Sequence, residues 1–168
     1  MNRAVFVKSL KIGILALAAI IGFDLFLHAG ILSPLYSEPS PFLLTPEESF
    51  RRIPIGYLSF AILTALLVWL MVRMSIQGWR RGLTFGLIMG GTVWGSLTLG
   101  LFSISTANPA LLLGWFLGQT AELGVAGMVV GSGLAAVRLR SLVVKAGIFF
   151  VIMVVAGIVI QNILNFST

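Results

Sequence analysis

The 168-residue chain contains no cysteine. Disulfides, thiolate nucleophiles and cysteine-ligated zinc or iron–sulfur centres are therefore excluded. Charge is also scarce, with 10% of residues Asp, Glu, Lys or Arg, five of them acidic. There is one histidine, His28. The chain has no G-x-S-x-G elbow, no H-E-x-x-H pair and no phosphate loop ending in lysine. The run GLIMGGTVWG imitates a glycine-rich loop but lies inside an apolar stretch, where helix packing explains it better. These absences read as a non-enzyme with no cofactor and no cysteine-based metal site.

What is present is apolar. Hydrophobic residues make up 58% of the chain, and the mean hydropathy is +1.08. That composition fits an all-α, multi-pass membrane protein and leaves no room for a separate soluble domain. The sequence predicts a single transmembrane helical domain, residues 1–168, with five spans at about 10–32, 54–76, 83–104, 109–137 and 142–165. The basic start and apolar run resemble a signal peptide, but Asp24 interrupts the run and no A-x-A pattern follows. A retained first helix is expected. Residues 33–52 form the main polar loop, and Thr45-Pro46-Glu47-Glu48 writes a capping box that predicts a short interfacial helix there.

Basic residues sort by loop. Arg3, Lys8 and Lys11, then Arg73, Arg80 and Arg81, then Arg138, Arg140 and Lys145 all fall on one predicted side. The other side has Arg51 and Arg52, diluted by Glu38, Glu47 and Glu48. The positive-inside rule then places the amino terminus in the cytoplasm and the carboxy terminus outside. The net charge of +6 reads as contact with anionic headgroups at the cytoplasmic face of a plasma membrane, a bacterial inner membrane, and not with nucleic acid.

The stretch from Asn108 to Val137 is the organising one: almost wholly apolar and small, opened by an Asn-Pro cap, with Glu122 near its middle. Small residues let helices approach closely in lipid. Gly86, Gly90, Gly91 and Gly95 in the third span, with Gly114 and Gly118 in the fourth, predict an antiparallel hairpin. A second pair, Gly127 and Gly131, continues the fourth span's spacing. Bulk at Gly90 or Gly118 is then expected to cost more than bulk at Gly157. Trp94 and Trp115 are expected to fill the space the glycines leave.

Four polar residues stand out as ligand- or proton-binding candidates. Asp24 and His28 share one face of the first span, and Gln119 and Glu122 share one face of the fourth. A mid-bilayer carboxylate costs about 2.5–3.5 kcal/mol on insertion scales unless a partner or a proton offsets it. At about 1.5 Å per residue from the outer ends, His28 lies about 6 Å deep and Glu122 about 20 Å. That separation of more than about 10 Å argues against one metal site, while leaving Asp24 nearly level with Gln119. Thr92, Ser96 and Thr98 are expected to extend the polar path.

Five spans in this length resemble, in size and span count, the tryptophan-rich sensory protein and translocator family, which binds porphyrins and sterol-like ligands. The W-A-P-x-W pattern of that family is missing here, and Trp69, Trp79, Trp94 and Trp115 are scattered. No mechanism carries over.

Two functions from different classes remain. One is a binding or transport module that handles a proton, an ion or a small amphipathic ligand through its intramembrane acids. The other is a non-catalytic accessory or assembly subunit, partnered by other membrane proteins or by further copies of itself.

Overall fold

Two of the long helices begin where the sequence writes a cap followed by proline. Thr45 Oγ1 accepts the Glu48 N–H at 3.3 Å, and Asn108 Oδ1 accepts the Ala110 N–H at 2.8 Å. Each satisfies an amide that the first turn leaves unpaired, and Pro46 and Pro109 occupy the first helical position, where no N–H is needed. The computed structural model describes residues 3–37 and 40–165. Its helices are α1 (Arg3–Asp24), a π-helical segment (Leu25–Ile31), α2 (Ser33–Ser37), α3 (Pro46–Arg73), α4 (Trp79–Ile104), α5 (Pro109–Ala135) and α6 (Arg140–Asn165). Among the described residues there is no strand, and five helices are long and apolar enough to cross a membrane. Glu38, counted above among the loop acids, and both chain ends lie outside the described residues.

Two boundaries differ from expectation. The first helix begins at Arg3, so Lys8 and Lys11 sit within it instead of preceding it. Lys8 Nζ then reaches the end of α5 and donates to Leu134 O at 3.3 Å and Ala136 O at 2.9 Å. Those carbonyls lack helical partners and carry the negative end of the helix dipole, so a cation suits them. The second difference is at Pro54. The helix capped by Thr45 does not stop before it but continues through it to Arg73. The short interfacial helix and the second span are therefore one element.

Helix α5 is the hub. It touches α1, α3, α4 and α6, and half of its apolar window is buried, against 11% for α4 and for α6. Ile12, Ala16 and Ile20 from α1, Leu67 and Met71 from α3, and Ala126 and Val130 from α5 meet in the core. The outer faces of α4 and α6 stay apolar and exposed, as Ile88, Leu99, Val151 and Ile158 illustrate.

The hairpin of α4 and α5 forms as expected, with Gly86, Gly90, Gly127 and Gly131 at the contact, but Gly82 joins them and the other expected glycines do not. A Cβ at Gly82 or Gly86 would lie 2.1 Å from the carbonyl oxygen of Gly127 or Leu123, and one at Gly90 would lie 2.9 Å from Thr120 Cα. Gly78 N–H also donates across the pair to Gly131 O at 2.8 Å. Gly91 meets only Thr120 Cγ2 at 4.0 Å, and Gly95 only the Phe116 ring. Gly114 and Gly118 face Leu32 and Leu27, not α4. Helix α5 thus has two glycine faces, one toward α4 and one toward the first helix. Gly157 is also packed, since its Cβ would lie 3.0 Å from Phe26 Cα. It cannot serve as the tolerant position.

Candidate functional site

The first helix changes character where it meets the site. After Asp24 the backbone widens into the π-helical segment, closed by the Leu32 N–H donating to Leu27 O, five residues back, at 2.7 Å. Single π turns inside α-helices recur at functional sites. Here the widened turn also brings the backbone close to α6, where a Cβ at Gly30 would stand 3.3 Å from Gly157 Cα. Asp24 opens the segment and His28 lies one turn on, with Asp24 Oδ1 3.6 Å from His28 Nε2.

Helix α5 supplies the opposite wall. Glu122 Oε1 lies 3.7 Å from His28 Nε2, and Gln119 Nε2 lies 3.2 Å from the same nitrogen. One ligand atom each from Asp24, His28 and Glu122 falls within 4.8 Å of the others. Asp24, Gln119 and Glu122, three of the four predicted site residues, therefore converge on one nitrogen of the fourth, His28.

His28 and Glu122 are not separated by the expected depth of about 10 Å, because the outer ends of the first and fourth spans are not level. In the structure Leu32 faces Gly114, Leu27 faces Gly118 and Ile12 faces Gly133. In that register Ile31 stands opposite about residue 115, so α5 overhangs by roughly six residues, about 9 Å. The overhang brings Glu122 up to the level of Asp24 and His28.

The other ring nitrogen is held as well. His28 Nδ1 lies 2.5 Å from the Tyr36 hydroxyl, and Trp115 Nε1–H donates to the same oxygen at 2.6 Å. Tyr36 sits on α2, outside the long helices, and burial pushes its phenol up to about 12, with the Trp115 N–H acting the other way. Tyr36 is not among the expected site residues, and Trp115 is a hydrogen-bond donor to it and not only a space-filler. A tyrosine between two prolines gave no periodic signal; only the general need of a buried indole N–H for an acceptor pointed to one. Thr92, Ser96 and Thr98 do not join the site. Thr92 and Thr98 donate to carbonyls of their own helix, and Ser96 is exposed.

The electrostatics are unbalanced. Glu122 is 1% exposed, and neither of its carboxyl oxygens has a hydrogen-bond partner. Among the described residues no lysine or arginine approaches either Asp24 or Glu122 within ion-pair distance; the one such pair is the exposed Arg51–Glu47. His28 is the only group there able to carry positive charge. A buried, unpaired carboxylate is costly, so the arrangement suits a site that receives a cation.

Access to it is through a cavity of about 530 Å³. Asp24, His28 and Gln119 form its polar part, and Tyr57, Phe60 and Trp94 form its apolar wall. Trp94 Nε1 is buried without a partner, so the wall holds one free donor. Ser49 and Ile53, from the first turns of α3, also line the cavity and place it at the end of the bundle away from Lys8.

Comparison with protein-family models, with curated proteins and with solved structures finds no match to this chain.

Proposed function

We propose that the chain is a small integral membrane module that binds a cation at Asp24, His28 and Glu122, reached through the aromatic-walled cavity. The observation that carries this reading is Glu122. Its carboxyl group is fully enclosed, faces an imidazole already shared with Asp24, and among the described residues has no lysine or arginine to balance it. Membrane proteins retain such groups where they handle ions or protons. The apolar outer faces of α4 and α6 are what lipid would cover, and the basic ends of the helices fit the cytoplasmic headgroups of a plasma membrane. With the amino terminus in the cytoplasm, the cavity opens to the outside. The cation then enters from that side, and Gln119 meets it beside His28.

The test uses the full-length protein in lipid nanodiscs. Its melting temperature is measured in a chelated, low-salt buffer and after adding protons, sodium, magnesium, zinc or tetramethylammonium in turn. At least one of these is expected to stabilise the wild type and to lose that effect in Glu122→Gln, because a ligand that binds only the folded state raises its stability. If none stabilises the wild type more than the variant, the reading fails.

A further inference from the structure

We infer that the cation is a divalent first-row transition metal, held by His28 Nε2 and by one carboxylate oxygen each from Asp24 and Glu122. The inference rests on the cation-binding reading above and names its ligand.

Three observations lead to it. The first is geometry. The two spacings from His28 Nε2, 3.6 Å to Asp24 Oδ1 and 3.7 Å to Glu122 Oε1, are close to the edge of a tetrahedron around a metal with arms of about 2.1 Å, roughly 3.4 Å. The third spacing is at most 4.8 Å and closes with a small rotation of either carboxylate. The second is the unpartnered Glu122 carboxyl group, buried and directed at the same nitrogen as Asp24. The third is the way the ring is held. When His28 Nδ1–H donates to Tyr36, the proton is fixed on Nδ1 and the lone pair on Nε2 turns to the carboxylates. Metal-binding histidines are oriented in this manner by a partner on the far nitrogen. Tyr36 is itself anchored by the Trp115 N–H, so the support extends one residue further.

Charge and donor type narrow the ion. Two carboxylates with a neutral imidazole carry two negative charges, which one divalent ion balances and a monovalent ion does not. Calcium prefers six to eight oxygens and magnesium an octahedral, largely hydrated shell, whereas one nitrogen with two oxygens suits zinc, iron(II), cobalt(II) or manganese(II). Gln119 is the fourth candidate. Its amide nitrogen is 3.2 Å from His28 Nε2, and a half-turn of that amide presents the carbonyl oxygen in its place. Asp24, His28 and Gln119 all line the cavity, so a metal here keeps one side open to it, as exchangeable and catalytic sites do.

The chain's single histidine makes the test specific. Wild-type protein, labelled with nitrogen-15 in the imidazole ring and held in lipid nanodiscs, is titrated with zinc. One equivalent is expected to move the Nε2 resonance while the Nδ1–H resonance persists. Asp24→Asn and Glu122→Gln are each expected to weaken zinc at least about 100-fold, and Tyr36→Phe about 10-fold, the lower end for an outer partner of a ligating histidine. An Nε2 resonance unmoved by excess zinc overturns the inference, and so does zinc affinity unchanged in both acid variants. Zinc held by exposed acids such as Glu47 and Glu48 would leave Nε2 unmoved and counts against it too. If protons, sodium or tetramethylammonium stabilise the wild type through Glu122 while zinc and cobalt leave Nε2 unmoved, the metal assignment falls and the cation reading stands. If no cation acts through Glu122, both fall.

Discussion

His28 of the first long helix and Glu122 of the central helix meet at 3.7 Å, nitrogen to oxygen, where among the described residues no lysine or arginine comes within ion-pair distance. That contact depends on the register between α1 and α5, which Gly114 and Gly118 set by admitting Leu32 and Leu27.

Glu122 is expected to be retained at a cost in stability. In chelated buffer without added cation, Glu122→Gln is expected to be at least as stable as the wild type, because it removes an uncompensated buried carboxyl charge and keeps the shape. With the bound cation present the order reverses. A variant that is less stable under both conditions would make Glu122 a purely structural residue.

The Tyr36 hydroxyl serves two donors or partners at once. Tyr36→Phe leaves the Trp115 N–H without its acceptor and His28 Nδ1 without its partner, and is expected to cost about 1–3 kcal/mol. Reversible unfolding in mixed detergent would show this, and a loss below about 0.5 kcal/mol would mean that water replaces the phenol without penalty.

The same phenol has a signature at high pH. Burial holds it un-ionised to about 12, so absorbance at 295 nm should show one of the chain's two tyrosines titrating near there, and Tyr36→Phe should remove that step. The sign for stability follows. Above about pH 10 the unfolded state loses the proton first, so the contribution of neutral Tyr36 is complete below that and declines as pH rises towards about 12. A Tyr36 titrating near 10 would contradict its enclosure.

Close packing of α4 on α5 gives a sharp contrast among glycines. Gly86→Ala places a methyl group 2.1 Å from the Leu123 carbonyl and is expected to cost about 3 kcal/mol or more, because backbone must move. Gly147→Ala meets nothing within 4 Å and is expected to be neutral or slightly stabilising in its helix. Equal losses at the two positions would remove the special role of the hairpin.

Much of this was legible in the sequence, for identifiable reasons. Long apolar runs announce helices whatever their neighbours, and Thr45 and Asn108 announce helix starts because capping is local. The central place of α5 followed from its almost wholly apolar, small-residue run with Glu122 near its middle. Which glycines touch which helix was only partly legible, because spacing fixes a face but not the neighbour it meets; hence Gly114 and Gly118 are expected on α4 but face the first helix, and Gly157 is expected to be the more tolerant position but is packed. The site was half legible. Asp24, His28, Gln119 and Glu122 stood out as polar groups in apolar helices, but their meeting depends on an overhang of α5 that helix length alone does not encode. The π-helical turn and Tyr36 were invisible for the same reason: both are settled by tertiary contact.

The most direct measurement is the affinity of the stabilising cation for four proteins: wild type, Asp24→Asn, Glu122→Gln and the double variant, all in the same nanodiscs. If the two acids on two helices hold one ion, each single variant should lose most of the affinity and the double should bind little worse than either, since groups acting as a unit are not additive. Wild-type affinity in either single variant, or losses that add independently, would contradict a shared site.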